Sequence, residues 1–86
     1  MDVGCSAGHF LYSMKDKVKT CIGVEFNKSD SEFVQNKLGI KVYSVPIEES
    51  DLPEKYFDVI TIFHVLEHIH EPINFLNNIK KYLKDT

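Results

Sequence analysis

Hydrophobic positions fall into short runs rich in branched residues, and between them lie stretches where apolar side chains recur every three or four residues. Alternation of these two patterns, with turn or cap residues at the junctions, is the signature of repeated βαβ units. Four strands are predicted. Residues 1–3 form a stub that runs straight into the small-residue turn Gly4-Cys5-Ser6-Ala7-Gly8, so the chain begins partway through a strand. Residues 18–26 and 40–45 follow, the latter stopped by Pro46. The clearest run is 57–63, whose near-continuous apolarity suits a strand covered on both faces.

Three helices are predicted between and after these strands. Residues 9–16 would turn Phe10, Leu11 and Met14 inward. The next would open on a capping box, Ser29-Asp30-Ser31-Glu32, present Phe33, Val34 and Leu38 to the core, and end at Gly39. The last would carry Pro72 in its first turn, with Ile73, Leu76, Ile79 and Leu83, and Phe75 and Tyr82 beside them, marking a core face. Lys80, Lys81 and Lys84 near its end suit the helix dipole. The segment 47–56 is acidic and turn-rich, and reads as a surface loop.

The chain has 86 residues, 43% hydrophobic and 27% charged, which allows one globular unit and no second domain. A chain of that size buries only roughly 60% of the surface its unfolded form exposes, so its stability is marginal. Ten lysines oppose thirteen acids, giving a net charge of −3, and there is no arginine. Without guanidinium forks and with an acidic balance, general nucleic-acid binding is not expected. No run approaches the roughly 20 apolar residues of a membrane span, and no basic segment precedes an apolar one at the N-terminus, so the simplest assignment is cytoplasmic. Cys5 and Cys21 lack Cys-x-x-Cys spacing and are read as reduced, structural thiols.

In a parallel sheet of right-handed crossovers, ligands bind beyond the carboxyl ends of the strands. The chemistry-bearing residues lie there. The glycine turn follows the first predicted strand, Glu25 ends the second, Pro46-Ile47-Glu48 follows the third and His64 the fourth. Small residues let a ligand approach the backbone at a helix start. An acid 21 positions after Gly4 is spaced to accept from the two hydroxyls of a ribose. Together they imply a nucleoside-containing cofactor, against the alternative of a tight turn beside a solvated glutamate. In a dinucleotide fingerprint the sixth position is glycine, whereas here it is His9, with Gly8 one place early. Asp2 would repel a pyrophosphate and attract a sulfonium or ammonium, which favours S-adenosylmethionine over NAD.

With these residues in order, Asp2-Val3-Gly4-Cys5-Ser6-Ala7-Gly8, Gly23-Val24-Glu25 and the run from Phe57 through Leu66-Glu67-His68, the chain resembles the class I S-adenosylmethionine-dependent methyltransferases. It departs from their acidic-x-Gly-x-Gly-x-Gly motif at Ser6. The resemblance implies an α/β fold, a Rossmann-like doubly wound parallel sheet with strand order 3-2-1-4, truncated to its cofactor-binding half. It also implies a methyl transfer from the sulfonium to an O- or N-nucleophile of an acceptor these residues do not identify, since acceptors in the family range from small molecules to nucleic acids and proteins; a small molecule is the expected partner. By the same resemblance, cofactor-binding residues are Asp2, Gly4, Cys5, Ser6, Gly8, Glu25, Phe26, Ile47, Glu48 and His64. Asp2, Gly4 and Gly8 would line the methionine end, Glu25 the ribose, and the Ile47-Glu48 region the adenine.

His64 also has the strongest claim to act as base, since the acceptor in this fold lies past the fourth strand. His9, His68 and His70 have weaker claims. His64-Val65-Leu66-Glu67-His68 formally matches an inverted zinc-peptidase motif, but a strand leads directly into His64, and no third ligand is evident. A divalent metal on Glu67 and His68 is a second alternative. A nucleotide- or NAD-binding module without methyl transfer is a third, and a catalytically incomplete fragment a fourth. In a half-sheet the fourth strand lies at an edge, so self-association through that edge is expected.

Overall fold

The computed structural model describes residues 1–85. Its core is a four-stranded parallel sheet in the order β3-β2-β1-β4, built from β1 (Asp2–Val3), β2 (Ile22–Val24), β3 (Lys41–Tyr43) and β4 (Thr61–Ile62). Asp2 pairs with Gly23 on one side and Thr61 on the other, and Val3 with Val24 and Ile62. Ile22, Gly23 and Val24 pair in turn with Lys41, Val42 and Tyr43. The predicted α/β class and strand order are therefore those observed, with β3 and β4 at the two edges.

Helices α1 (His9–Met14) and α2 (Lys28–Lys37) pack against a cluster of Cys5, Leu11, Val34, Ile40 and Val42. Helix α3 (Pro72–Lys80) contributes Ile79 to a second cluster, with Val3, Ile22, Val24, Ile47, Leu52, Phe57 and Tyr82. Gly23 permits the first packing: a Cβ there would lie 2.7 Å from Leu11 Cδ1 and 2.8 Å from Cys5 Sγ. No helix among the described residues is long and apolar enough to cross a membrane.

Several expectations are corrected. The capping box does not form: the cap is Asn27, two residues before the predicted Ser29, and it accepts from Asp30 N–H at 3.0 Å. An Asn side chain reaches the third amide as well as a serine does, and the earlier start lengthens the helix by about half a turn. Of that helix's three predicted core residues, Val34 is fully buried, while Phe33 is 45% exposed. Only Leu11 of α1 is buried. The second and third strands are shorter than predicted because Val18 and Val45 lie outside the ladder and are exposed.

The fourth strand shrinks from seven predicted residues to Thr61–Ile62. Phe57 is buried, but through a single parallel bridge to Leu83 after α3, where Phe57 N–H donates to Tyr82 O at 2.9 Å. Val59 and Phe63 are 64% and 50% exposed, so the strand is not covered on both faces. Helix α3 turns Phe75 and Ile79 to the core, followed by Tyr82, while Ile73 and Leu76 face outward. Spacing of three or four fits either set, and the contact that decides it is tertiary. Residues 47–56 are not simply a surface loop. Ile47–Glu49 forms a 3-10 turn, and Ile47 and Leu52 are core residues, with Tyr82 Oη donating to Ile47 O at 3.3 Å.

Candidate functional site

Parallel strands put all their carboxyl ends on one side, and an open cleft of about 840 Å³ lies there. Asp2 through Ser6 line it from β1, and Val24, Glu25 and Phe26 from β2. Pro46, Ile47 and Glu48 follow β3, and Phe63, His64, Val65 and His68 follow β4. Nine of the ten residues expected to bind a cofactor thus share one cavity wall. The exception is Gly8, which is not on that wall. Its N–H donates to Cys5 O at 2.9 Å, and a Cβ there would meet Val34 Cγ2 at 2.8 Å, so it lets α1 sit against α2.

The turn after β1 has a regular backbone. Gly4, Ser6 and Gly8 all have positive φ, at 77°, 51° and 82°. A left-handed residue at every second position explains why glycine suits those places. Ser6 occupies the middle one with a side chain, which costs roughly 1 kcal/mol. Gly4 N–H and Cys5 N–H both donate to Val24 O, at 2.7 and 3.1 Å, which pins the turn across the end of β2.

Glu25 completes this arrangement. Its Oε1 accepts from Ser6 N–H at 2.7 Å and its Oε2 from Asn27 N–H at 2.9 Å. One carboxylate therefore ties the turn to the start of α2, and each oxygen keeps a lone pair for a donor in the cleft. Asp2 is buried to 4% exposure, with Thr61 Oγ1 donating to its Oδ1 at 2.7 Å. Burial pushes its carboxyl above the usual range, with the Thr61 bond opposing and Glu25 adding to the rise. A cation beside it would favour the charged form. Cys5 is also buried, and burial, with Asp2 and Glu25 nearby, pushes its thiol up to about 12. At neutral pH it stays a thiol and is not a nucleophile.

His64 stands at the end of β4 in a left-handed conformation, φ 56°, and its imidazole is 91% exposed. Its Nδ1 lies 4.0 Å from Glu67 Oε2, in the 3-10 turn Leu66–His68. Glu67 is not on the cleft wall, whereas His68 is. Among the described residues no three His, Cys, Asp or Glu side chains are gathered as a metal site.

The cleft also has walls that sequence reasoning did not assign. Phe10 and Phe63 meet edge to face, ring centres 5.1 Å apart, and both line the cavity. Glu71, Asn74, Phe75 and Asn78 line it from one side of α3. Their spacing of three and four was available as a signal, because it continues the Phe75–Ile79 stripe with polar residues.

The whole chain, residues 1–86, matches the family described as a methyltransferase domain. A SAM-dependent methyltransferase of known structure from Archaeoglobus fulgidus is 31% identical, with a TM-score of 0.78 over 96% of this chain and 38% of that one. The ubiquinone biosynthesis O-methyltransferase of Actinobacillus pleuropneumoniae is 28% identical over 94 residues, 98% of this chain and 40% of that protein. The tRNA U34 carboxymethyltransferase of Colwellia psychrerythraea is 30% identical over 93 residues, 96% of this chain and 28% of that protein. The chain thus spans well under half the length of each of these relatives.

Proposed function

Since the chain belongs to the methyltransferase domain family, we propose that its cleft binds S-adenosylmethionine and presents it to an O- or N-nucleophile of a methyl acceptor. Residues 1–86 are then the cofactor-binding part of such a domain. The observation that carries this reading is the Glu25 carboxylate, held at the end of β2 by the amides of Ser6 and Asn27 beside a turn with three left-handed residues. The donor set fits the cofactor. A buried carboxylate at Asp2 suits a cationic centre, two acceptor oxygens at Glu25 suit a diol, and the apolar Ile47 beside Glu48 suits a purine with an exocyclic amine.

When bound, the sulfonium supplies an already activated methyl group. The chain's own work is to hold an acceptor in line with it at near-attack distance and to remove a proton where the acceptor carries one. Asp2, Gly4, Cys5 and Ser6 hold the methionine end, Glu25 and Phe26 the ribose, and Ile47 with Glu48 the adenine. His64 is the candidate base. It follows the strand nearest the acceptor side, and its strained backbone directs an exposed ring to the cleft mouth. Glu67 lies 4.0 Å from its Nδ1, beyond hydrogen-bond distance, so the ring is oriented by its backbone and not by that carboxylate.

Calorimetric titration with S-adenosylhomocysteine tests the reading, with NADH as competitor. Saturable binding that NADH does not displace supports it, and no heat with the homocysteine product would remove it. For the base, His64→Gln should lower turnover at least tenfold with little change in product affinity; equal turnover would reassign the proton to another group.

A further inference from the structure

The cleft wall carries an unusual charge balance for a chain with ten lysines. Asp2, Glu25, Glu48 and Glu71 line it, and no lysine does. Glu48 and Glu71 are in no ion pair among the described residues. Most of the lysines lie toward the opposite end of the sheet instead, Lys28 at the start of α2 being an exception. Lys15, Lys17 and Lys19 fill the turn before β2, and Lys80, Lys81 and Lys84 close the end of α3. Topology causes the segregation: helix starts, where acids are favourable, and strand carboxyl ends share one side, and helix ends with their lysines share the other.

We propose that the acceptor is a small aromatic compound that carries no negative charge, seated against the Phe10–Phe63 pair. This rests on the S-adenosylmethionine reading above. With cofactor in place, Asp2 faces its cationic centre, and Glu48 and Glu71 remain as uncompensated charge. An anionic acceptor meets repulsion from both, whereas a neutral or cationic one does not. The two phenylalanines supply the attraction. They are 38% and 50% exposed within the cleft, already edge to face, and a third ring laid on them removes apolar surface from water with favourable quadrupole geometry. His64 follows Phe63 directly, so a hydroxyl or amine on that ring lies near the imidazole. The cavity volume is toward the upper end of the roughly 300–1,000 Å³ of small-molecule sites, enough for cofactor and a small ring together. A nucleic-acid strand across this mouth would face carboxylates where it needs cations.

The test uses three phenols of matched shape: 4-hydroxybenzamide (neutral), tyramine (cationic) and 4-hydroxybenzoate (anionic). Each is titrated by NMR into the protein, with and without saturating S-adenosylhomocysteine, at about pH 8, where an ordinary imidazole is uncharged. The amide and the amine are expected to bind about tenfold or more tightly than the carboxylate, with the gap narrowing in Glu71→Gln and at high salt. Phe63→Ala, at an exposed position, is expected to weaken all three alike. Equal or tighter binding of the carboxylate, no binding of any phenol, or displacement of a bound phenol by a short single-stranded RNA would overturn the proposal. Failure of S-adenosylhomocysteine to bind removes the cofactor reading separately, because the order of the three phenols is also measured without it.

Discussion

Replacing Glu25 by glutamine exchanges one carboxylate oxygen for an amino group and leaves the shape of the side chain unchanged. Its two oxygens accept from Ser6 N–H at 2.7 Å and Asn27 N–H at 2.9 Å. Glutamine can keep one of these bonds, and its amino group then faces a backbone N–H, donor against donor. A hydrogen bond to a charged group contributes about 1.5–3 kcal/mol. Both bonds here are solvent-exposed, which places the loss of one at the low end, about 1.5 kcal/mol. For a domain of this size that lowers the melting midpoint by about 4–8 °C per kcal/mol. Cofactor affinity should fall further, because a diol that donates twice to a carboxylate finds one acceptor in the amide. A loss of about 1.5–3 kcal/mol raises Kd roughly 10- to 150-fold. Calorimetry with S-adenosylhomocysteine reads the second number and thermal melting by circular dichroism the first. An affinity within about twofold of the parent would refute the ribose assignment. A lowered affinity with an unchanged midpoint would refute the bridging role.

Asp2→Asn should separate stability from binding. Burial raises the folded carboxyl pKa above its ordinary 3.8, so the folded state holds that proton more tightly than the unfolded one. The resulting stability is complete below pH 3.8 and is lost as pH rises through the raised value. The asparagine variant, which can still accept from Thr61, should therefore melt higher than the parent at neutral pH and bind a sulfonium ligand less well; a lower melting point would contradict the desolvation argument. Gly4→Ala combines φ 77° with a Cβ 2.5 Å from Val65 Cγ2, and should cost about 2–4 kcal/mol in urea denaturation. A loss under about 1 kcal/mol would mean that the turn relaxes freely. The open flank of β4, with Val59 and Phe63 exposed, should make the isolated chain associate with rising concentration in sedimentation equilibrium. A monodisperse monomer at high concentration would count against it.

Sheet order, crossover pattern and the identity of the strand-end residues are legible in the sequence because each depends on local chemistry: a glycine turn, an acid at a fixed distance, a proline stop. Element lengths are not. Phe57 and Thr61 lie in one apolar run, yet one bridges to Leu83 and the other to β1, a division set by where α3 returns. The same holds for α3, whose helical period fits the exposed Ile73 as well as the buried Ile79. Within the site, Glu25 is legible from spacing, but its bond to Ser6 depends on the folded turn. Phe10 illustrates the opposite error. An aromatic on the predicted inner side of a helix reads as core, and here it meets Phe63 in the cleft.

The hydrogen bond from Thr61 to Asp2 joins the most deeply placed carboxylate of the cleft to an edge strand of the sheet. Its strength follows the charge on Asp2, since a hydroxyl donates more strongly to a carboxylate than to a carboxylic acid. A cation in the cleft, by favouring the charged form of Asp2, favours this bond and so bears on β4 without touching it. Amide exchange at Thr61, whose N–H donates to Met1 O at 2.8 Å, becomes a remote gauge of whether the cleft is filled.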